Sequence, residues 1–322
     1  MKRIILTACF IFLAVCTFAQ DSILLTTKDG LCSSEPQALH IDTEGNLWIG
    51  TKNGLNKYDG FQMKVYYNDP LSDNSLINDV VQAFAEDDGR NILIGTTAGL
   101  CCYRMDNHSF YSIPLREGLQ PNVSGIIKRK NGDILVSTHG YGGLYRIIRN
   151  EGQQMTAERF EWSDDPNTHE ISTIFEGSDG TLWISSRYSG VYAMDSSGKV
   201  EKRLDVSEEI KAIDISSICQ DMDGKVYLGS SSLGVLVWEA GSEGTSLFPD
   251  ELVSKKVTRV SHHNGVVFIC TEFGGMYAYD TTTGALESLR ITAEDGKTIE
   301  NQVNMMAFDK DDNVVFALNN KG

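Results

Sequence analysis

Proline is scarce in this 322-residue sequence, six residues in all, while glycine numbers 30. With 41% hydrophobic and 22% charged residues the composition is ordinary and globular, which excludes a disordered chain, a collagen-like one and a disulfide mini-scaffold. Positive charge is also short: 28 basic against 44 acidic residues give a formal net charge of −16. A surface this acidic repels nucleic-acid phosphates and anionic headgroups, so no nucleic acid partner is expected. Seven cysteines lack regular spacing, and Cys9 and Cys16 fall within the leader described next. The other five, Cys32, Cys101, Cys102, Cys219 and Cys270, are an odd number and form no disulfide framework. Cys101 and Cys102 are neighbours on one expected strand, face opposite ways, and do not pair with each other. Most of the five are expected as core thiols, with a single bridge among them left open.

Long apolar runs are confined to the start. Lys2 and Arg3 precede an apolar stretch from Ile4 to Cys16, and Thr17-Phe18-Ala19 supplies the small residues read by a signal peptidase. At about 15 residues the run is short of the roughly 20 that span a bilayer as a helix. Residues 1–19 are therefore expected to be a cleaved signal peptide with Gln20 the new N-terminus, and the mature chain to be exported. Leu6-Thr7-Ala8-Cys9 resembles a lipoprotein box only superficially, because few apolar residues precede it. No later stretch is long enough to cross a membrane as a helix.

What the rest of the chain does contain is repetition. GNLWIGT at 45–51, RNILIGT at 90–96, GDILVST at 132–138, GTLWISS at 180–186, GKVYLGS at 224–230 and GVVFICT at 265–271 are each followed by Gly-Leu, Gly-Val or Gly-Met. A weaker copy, NVVFALN, lies at 313–319. The small residue near the end of each run gives the anchors Gly50, Gly95, Ser137, Ser185, Gly229, Cys270 and Ala317, spaced by 45, 42, 48, 44, 41 and 47 residues. Strand-rich repeats of about 40–50 residues are β-propeller blades. The expected fold is an all-β, seven-bladed β-propeller over 20–322. Its repeats fall near 36–79, 80–122, 123–170, 171–214, 215–256, 257–301 and 302–322, the last one incomplete.

Each repeat reads as four strands. In the second, these are Val80 to Glu86, Ile92 to Thr96, Leu100 to Arg104 and Ser109 to Ser112. Asn-Gly or Asp-Gly at 131–132, 179–180, 223–224 and 264–265 supplies residues with positive φ for hairpin turns. The apolar second strand must be buried on both faces, since a blade packs between two neighbours. Trp48 and Trp183 share that strand's large apolar position with Leu93, Leu135, Tyr227, Phe268 and Val315. They are expected to pack between blades and not to hold a ligand.

These strings, with KDGLCSS at 28–34 and LHIDTEGNLWIGTKNGLNKYDG at 39–60, resemble the two-component regulator propeller family. The resemblance covers essentially residues 22–322; the first copy is nearly a consensus and the third, sixth and seventh are degraded. It implies the periplasmic sensor part of a Bacteroidetes hybrid two-component histidine kinase. In that family an export signal precedes two seven-bladed propellers, an immunoglobulin-like domain, a membrane helix, a kinase, a receiver and a DNA-binding helix-turn-helix. The usual ligands are oligosaccharides, and the output is transcription of carbohydrate-utilisation genes. This chain departs from the plan in holding one propeller, with no membrane span and no kinase. None of its six histidines (His40, His108, His139, His169, His262, His263) sits in a phosphoacceptor context, and no ATP-lid motif is present. It is not itself expected to be an enzyme. The resemblance also implies a second propeller and a kinase part as partners in a full-length sensor, and a homodimer. Gly322 matches Gly54 of the first repeat, so the third and fourth strands of the seventh blade are not expected; the expected explanation is a truncated gene or gene fragment, the alternative a stand-alone protein with an imperfect seventh blade. Ile23 to Thr26 is the candidate for an outer strand across the ring closure.

Ligands are expected at the loops between second and third strands, which share one face. There aromatic rings can stack on sugars, and planar Arg, Asn and Glu groups can bind adjacent hydroxyls. His139, Tyr141, Arg187, Tyr188, Glu272 and Phe273 break from the simple repeat and are the candidate ligand-binding residues, although solvated hairpin tips also vary freely. Asp42, Asp87, Asp179, Asp221, Asp223 and Asp309 precede first turns and are assigned to turn formation. The spacing Asp309-x-Asp311-x-Asn313 lacks the glycine and distal Glu of a calcium loop. His262 and His263 face opposite ways on a strand, so no metal site is expected there, and no cofactor is expected at all. His139 has no visible partner to make it a base. The alternatives to a sensing module are a periplasmic propeller enzyme, a lyase or glycan hydrolase, and the non-functional fragment of a broken sensor gene.

Overall fold

The recurring apolar runs become the most deeply buried strands of the molecule. A computed structural model describes residues 23–318 apart from 150–153, 196–197, 205–213, 243, 254 and 290–302. The expected leader, its cleavage site and the last four residues lie outside the described residues. The first blade is β1 (Pro36–Ile41), β2 (Leu47–Thr51), β3 (Gly54–Tyr58) and β4 (Met63–Tyr66). The second is β5 (Val81–Glu86), β6 (Ile92–Thr96), β7 (Gly99–Arg104) and β8 (Ser109–Ile113). The third is β9 (Val123–Lys128), β10 (Ile134–Thr138), β11 (Gly143–Ile148) and β12 (Thr156–Arg159). The fourth is β13 (Ile171–Glu176), β14 (Leu182–Ser186), β15 (Gly190–Met194) and β16 (Val200–Leu204). The fifth is β17 (Ile215–Gln220), β18 (Val226–Ser230), β19 (Gly234–Trp238) and β20 (Ser246–Phe248). The sixth is β21 (Val257–His263), β22 (Val266–Thr271), β23 (Gly275–Asp280) and β24 (Leu286–Leu289). A hairpin of β25 (Val303–Phe308) and β26 (Val314–Leu318) follows.

Each of the six blades is a four-stranded antiparallel meander, and β25 pairs only with β26. The first strands pack in a cycle, β1 on β5, β5 on β9, and so on to β21 on β25 and β25 on β1, so the fold is an all-β propeller. Among the described residues there is no α-helix, only 3-10 turns at Thr27–Asp29, Pro166–His169 and Asp250–Leu252. Residues 23–26 form no strand; Thr26 instead caps the first of these turns by accepting the Lys28 amide, which corrects the expected outer strand.

Burial on both faces explains the second strands. Every residue of β2, β6, β10, β14 and β18 is buried, and all but the first of β22. The anchor is small because the next blade arrives there. A Cβ on Gly50 would stand 2.6 Å from Val81 Cγ1, one on Gly95 2.5 Å from Val123 Cγ1, and one on Gly229 2.8 Å from Val257 Cγ1. The large neighbours, Trp48 and Trp183 among them, fill the gaps between blades as expected. Each of these strands ends in a buried hydroxyl. Thr51, Thr96, Thr138 and Thr271 donate to the carbonyls of Gly54, Gly99, Gly143 and Gly275, satisfying a polar atom sealed from water.

The opposite face is tied by turn carboxylates. Asp42 Oδ1 accepts the Glu44 and Asn46 amides, and its Oδ2 accepts Trp48 Nε1 at 2.8 Å. Asp221 does the same for Asp223, Lys225 and the Tyr227 hydroxyl. Asp309 accepts the Asp311 and Asn313 amides, as turn formation requires. Of the four Gly-containing pairs only Asn264-Gly265 is a two-residue turn with positive φ at both residues. At 131–132, 179–180 and 223–224 only the glycine is left-handed, because the loops are longer.

The end of each first strand clasps the preceding blade. Glu86 accepts the Thr43 amide and hydroxyl, Glu176 accepts the Lys130 amide and Arg129 Nε, and Gln220 accepts the Ser178 amide. At the second-to-third junction Lys128 pairs with Asp88, and this contact with Arg149 holds the Asp88 carboxyl down to about 2. At the last junction the His263 ring stacks on Phe308 at 4.0 Å. All five cysteines are free thiols, so the bridge left open does not form. Cys101 and Cys102 enter two different inter-blade cores, and burial pushes both up to about 12.

Two stability predictions follow from these contacts. Gly95→Ala has nowhere to put its methyl and is expected to cost about 1–3 kcal/mol in urea denaturation. Second, His40 Nε2 is buried with no hydrogen-bond partner, and burial lowers its pKa from 6.5 against the opposing pull of Glu86. The folded chain thus holds its proton more weakly than the unfolded chain. Stability is complete above pH 6.5 and declines as pH falls below it, and His40→Gln should flatten that decline in denaturation midpoints measured across pH 5–7.

Candidate functional site

The second-to-third strand loops and the connections between blades share one end of the propeller. Six hydrogen bonds join them by one rule: the first loop residue donates its amide to the carbonyl just before the blade's first strand. Lys52 thus binds Glu35, Thr97 Val80, His139 Asn122, Arg187 Glu170, Ser231 Asp214, and Glu272 Lys256, at 2.8–3.1 Å. The rule fixes the loop bases and frees the tips to vary.

Four of the six expected site residues come together at the third and fourth blades. Tyr141 and Tyr188 lie with ring centroids 6.3 Å apart and planes 19° from parallel. They are 52% and 46% exposed, too open for a packing role alone. Arg187 lies over the Tyr188 ring at 6.0 Å and faces Asp214 at 3.9 Å. His139 Nδ1 is 3.4 Å from Glu170 Oε1, while Glu170 Oε2 accepts the Tyr141 amide at 3.0 Å. Tyr141 is held at φ +58, a left-handed conformation uncommon outside glycine and asparagine. The result is a pair of open rings flanked by a His–carboxylate pair and an Arg–carboxylate pair. Such a surface can stack on the apolar faces of a ring-shaped ligand and bind its edge hydroxyls.

The other two expected residues stand apart. Glu272 pairs with Lys256 at 2.6 Å on the sixth blade, and Phe273 beside it is 81% exposed. Neither shares a hydrogen bond, ion pair or ring contact with the cluster on the third and fourth blades.

Glu170 and Asp214 were not singled out from the sequence. Each occupies the position just before a first strand, gives its carbonyl to its own blade's loop, and turns its carboxylate to the loop of the preceding blade. Reading that column of the repeat (Glu35, Val80, Asn122, Glu170, Asp214, Lys256) would have found both. Glu170 is also the carboxylate that stands nearest His139, which the sequence reading left without a visible neighbour, although no hydrogen bond joins the two. Among the described residues no group of three or more His, Cys, Asp or Glu side chains is arranged for a metal, and no helix is long and apolar enough to cross a membrane.

Comparison with known proteins adds four findings. The two-component regulator propeller family model matches residues 30–53, the first repeat. A 71-residue stretch is 41% identical to histidine kinase P4 of Formosa agariphila, covering 21% of this chain and 5% of that one. The extracellular domain of a hybrid two-component system from B. thetaiotaomicron superposes with a TM-score of 0.77 at 21% identity, over 92% of this chain and 40% of that one. Streptogramin B lyase is also similar, with a TM-score of 0.68 at 15% identity over 93% and 94% of the two chains. At such identities the structural likenesses show the fold alone.

One expectation concerns Tyr141. Release from the left-handed conformation is worth about 1–2 kcal/mol, against about 0.5–1 kcal/mol for the greater unfolded freedom of glycine. Tyr141→Gly should leave the thermal midpoint unchanged or raised. A marked fall would assign the ring to structure instead.

Proposed function

We propose that this chain, which belongs to the two-component regulator propeller family, is the ligand-sensing propeller of the extracellular region of a two-component sensor. The chain spans 40% of the sensor ectodomain it resembles, and its match covers 5% of the kinase, so membership in a longer sensor with a second propeller and a kinase is part of the proposal. The leader over residues 1–19 would export it to the periplasm. The β25–β26 hairpin is taken as the inner half of a seventh blade, because it packs between the sixth blade and the first.

The observation that carries the reading is the open, near-parallel Tyr141–Tyr188 pair beside His139, Glu170, Arg187 and Asp214. Stacked rings plus planar hydrogen-bonding groups suit an oligosaccharide, and a sensor of carbohydrate utilisation is the role this supports. Binding is read out by a change in orientation between ectodomains of a homodimer, which requires that the ligand bind one arrangement more tightly than the other. No catalysis is assigned to the propeller.

A specific observation favours a second reading. His139 next to a buried carboxylate is an arrangement a general base can use, and streptogramin B lyase shows that a single propeller of this length can be an enzyme. Calorimetric titration of a panel of plant and host oligosaccharides, with product analysis by mass spectrometry, separates the two. A sensor binds one class without turnover, with Tyr188→Ala and Tyr141→Ala each weakening binding about tenfold or more, near 1.4 kcal/mol. Turnover abolished by His139→Ala would favour the enzyme, and failure of every saccharide to bind would remove the carbohydrate reading.

A further inference from the structure

Among the described residues one arginine makes no hydrogen bond, ion pair or ring contact. Arg259 lies on β21, opposite Cys270 of β22. The same position on the other first strands holds Ala38, Ala83, Gly125, Thr173, Ser217 and Met305, each opposite the small anchor of its blade. Arg259 is the one charged residue in that column. Every other arginine of the described residues makes a hydrogen bond, ion pair or related contact, such as Arg90 with Glu44, Arg129 with Glu176 and Arg149 with Asp88. Arg259 makes none, and its Nε is sealed from solvent with no acceptor. The titratable groups near it are the thiols of Cys219 and Cys270, which burial keeps neutral. Burial also lowers the pKa of Arg259 itself, as expected of a cation that has lost water and gained no partner.

Its place in the fold says where a partner would come from. β21 is the innermost strand of its blade, and Arg259 keeps partial exposure there, between the thiols of Cys219 on the fifth blade and Cys270 on the sixth. It stands two residues inward from Val257, next to Lys256, whose carbonyl anchors the Glu272 loop. That is the end of the channel bearing Tyr141 and Tyr188. In a chain with a net charge of −16, an unpaired guanidinium at this mouth selects against neutral contents and for an oxyanion.

We propose that Arg259 anchors an oxyanion site at the channel mouth, and that the ligand is an acidic saccharide bearing a carboxylate or a sulfate ester. This rests on the saccharide reading above and narrows it. The guanidinium forms a two-pronged pair with either group, a geometry lysine cannot reproduce.

The test uses the full chain with inorganic sulfate as the first probe. At matched ionic strength sodium sulfate, but not sodium chloride, should raise the thermal midpoint saturably. It should also protect Arg259 from phenylglyoxal, read by peptide mass spectrometry on the unaltered protein. Arg259→Met should abolish the midpoint shift, and Arg259→Lys should weaken sulfate at least tenfold. Uronate-containing, sulfated and neutral oligosaccharides of equal length then separate the sources. The acidic member that binds should lose at least tenfold in Arg259→Met, while the neutral one stays weak in both proteins. An equal sulfate shift in Arg259→Met and wild type, or no protection from phenylglyoxal, overturns the site. Neutral saccharides bound equally by both proteins would overturn it too and leave the sensor reading standing. Sulfate held at Arg259 with no saccharide bound would keep the oxyanion site and remove the saccharide.

Discussion

Everything in this fold depends on one close approach, that of the small anchor residue in each second strand to the residue opening the next blade. Gly50 against Val81 and Gly95 against Val123 leave no room for a methyl group. Because the contact recurs around the ring, each blade is buried on both faces, and the strands beside it must be apolar throughout. Hydrophobic burial is non-directional, so it alone would not fix how one blade rotates on the next. The clasps from Glu86, Glu176 and Gln220 to amides of the preceding turn supply that direction. They join blades through a polar contact whose geometry is specific, on the face away from the candidate site.

This division of labour leaves the other face free. Its loops share one tie at their bases, the amide-to-carbonyl bond that repeats from Lys52 to Glu272, and differ in what holds their tips. Beyond those bonds the side chains are not held between blades, and there the chain places exposed rings and accepts a left-handed tyrosine. Nearly all the charge at that mouth is matched locally: Lys52 with Glu35, His139 with Glu170, Arg187 with Asp214, Lys256 with Glu272. Matched pairs cost little and attract little, so the exception at Arg259 weighs heavily in what the channel can hold.

The blades were legible because they are written in periodic features. Ile92–Thr96 is the observed β6, and the shared position of Trp48 and Trp183 shows their packing role. Reading failed where structure depends on contacts between repeats. The four residues from Ile23 have strand-like side chains but no neighbouring edge that they pair with, and Thr26 is taken up in capping. Glu170 was missed because its carboxylate serves the blade before its own, a relation that spacing within one repeat cannot express. His139, Tyr141, Arg187 and Tyr188 stood out by departing from the repeat. Glu272 and Phe273 departed equally and landed elsewhere, since departure from a pattern marks a residue without saying which others it will meet.

A ring closed by such contacts is a poor switch in itself. Close-packed interfaces resist small deformations, and the anchors leave no slack for a blade to slide. A ligand held at the mouth would therefore change little inside the propeller. What it can change is the surface presented at that face. There a group bound across the tyrosines of the third and fourth blades and the channel beside the sixth would bridge elements that otherwise touch only through the ring. If sensing occurs, its energy must come from a neighbouring body that packs differently against the filled face and the empty one. A rigid scaffold with variable loop tips suits such a readout, because the ring itself need not move.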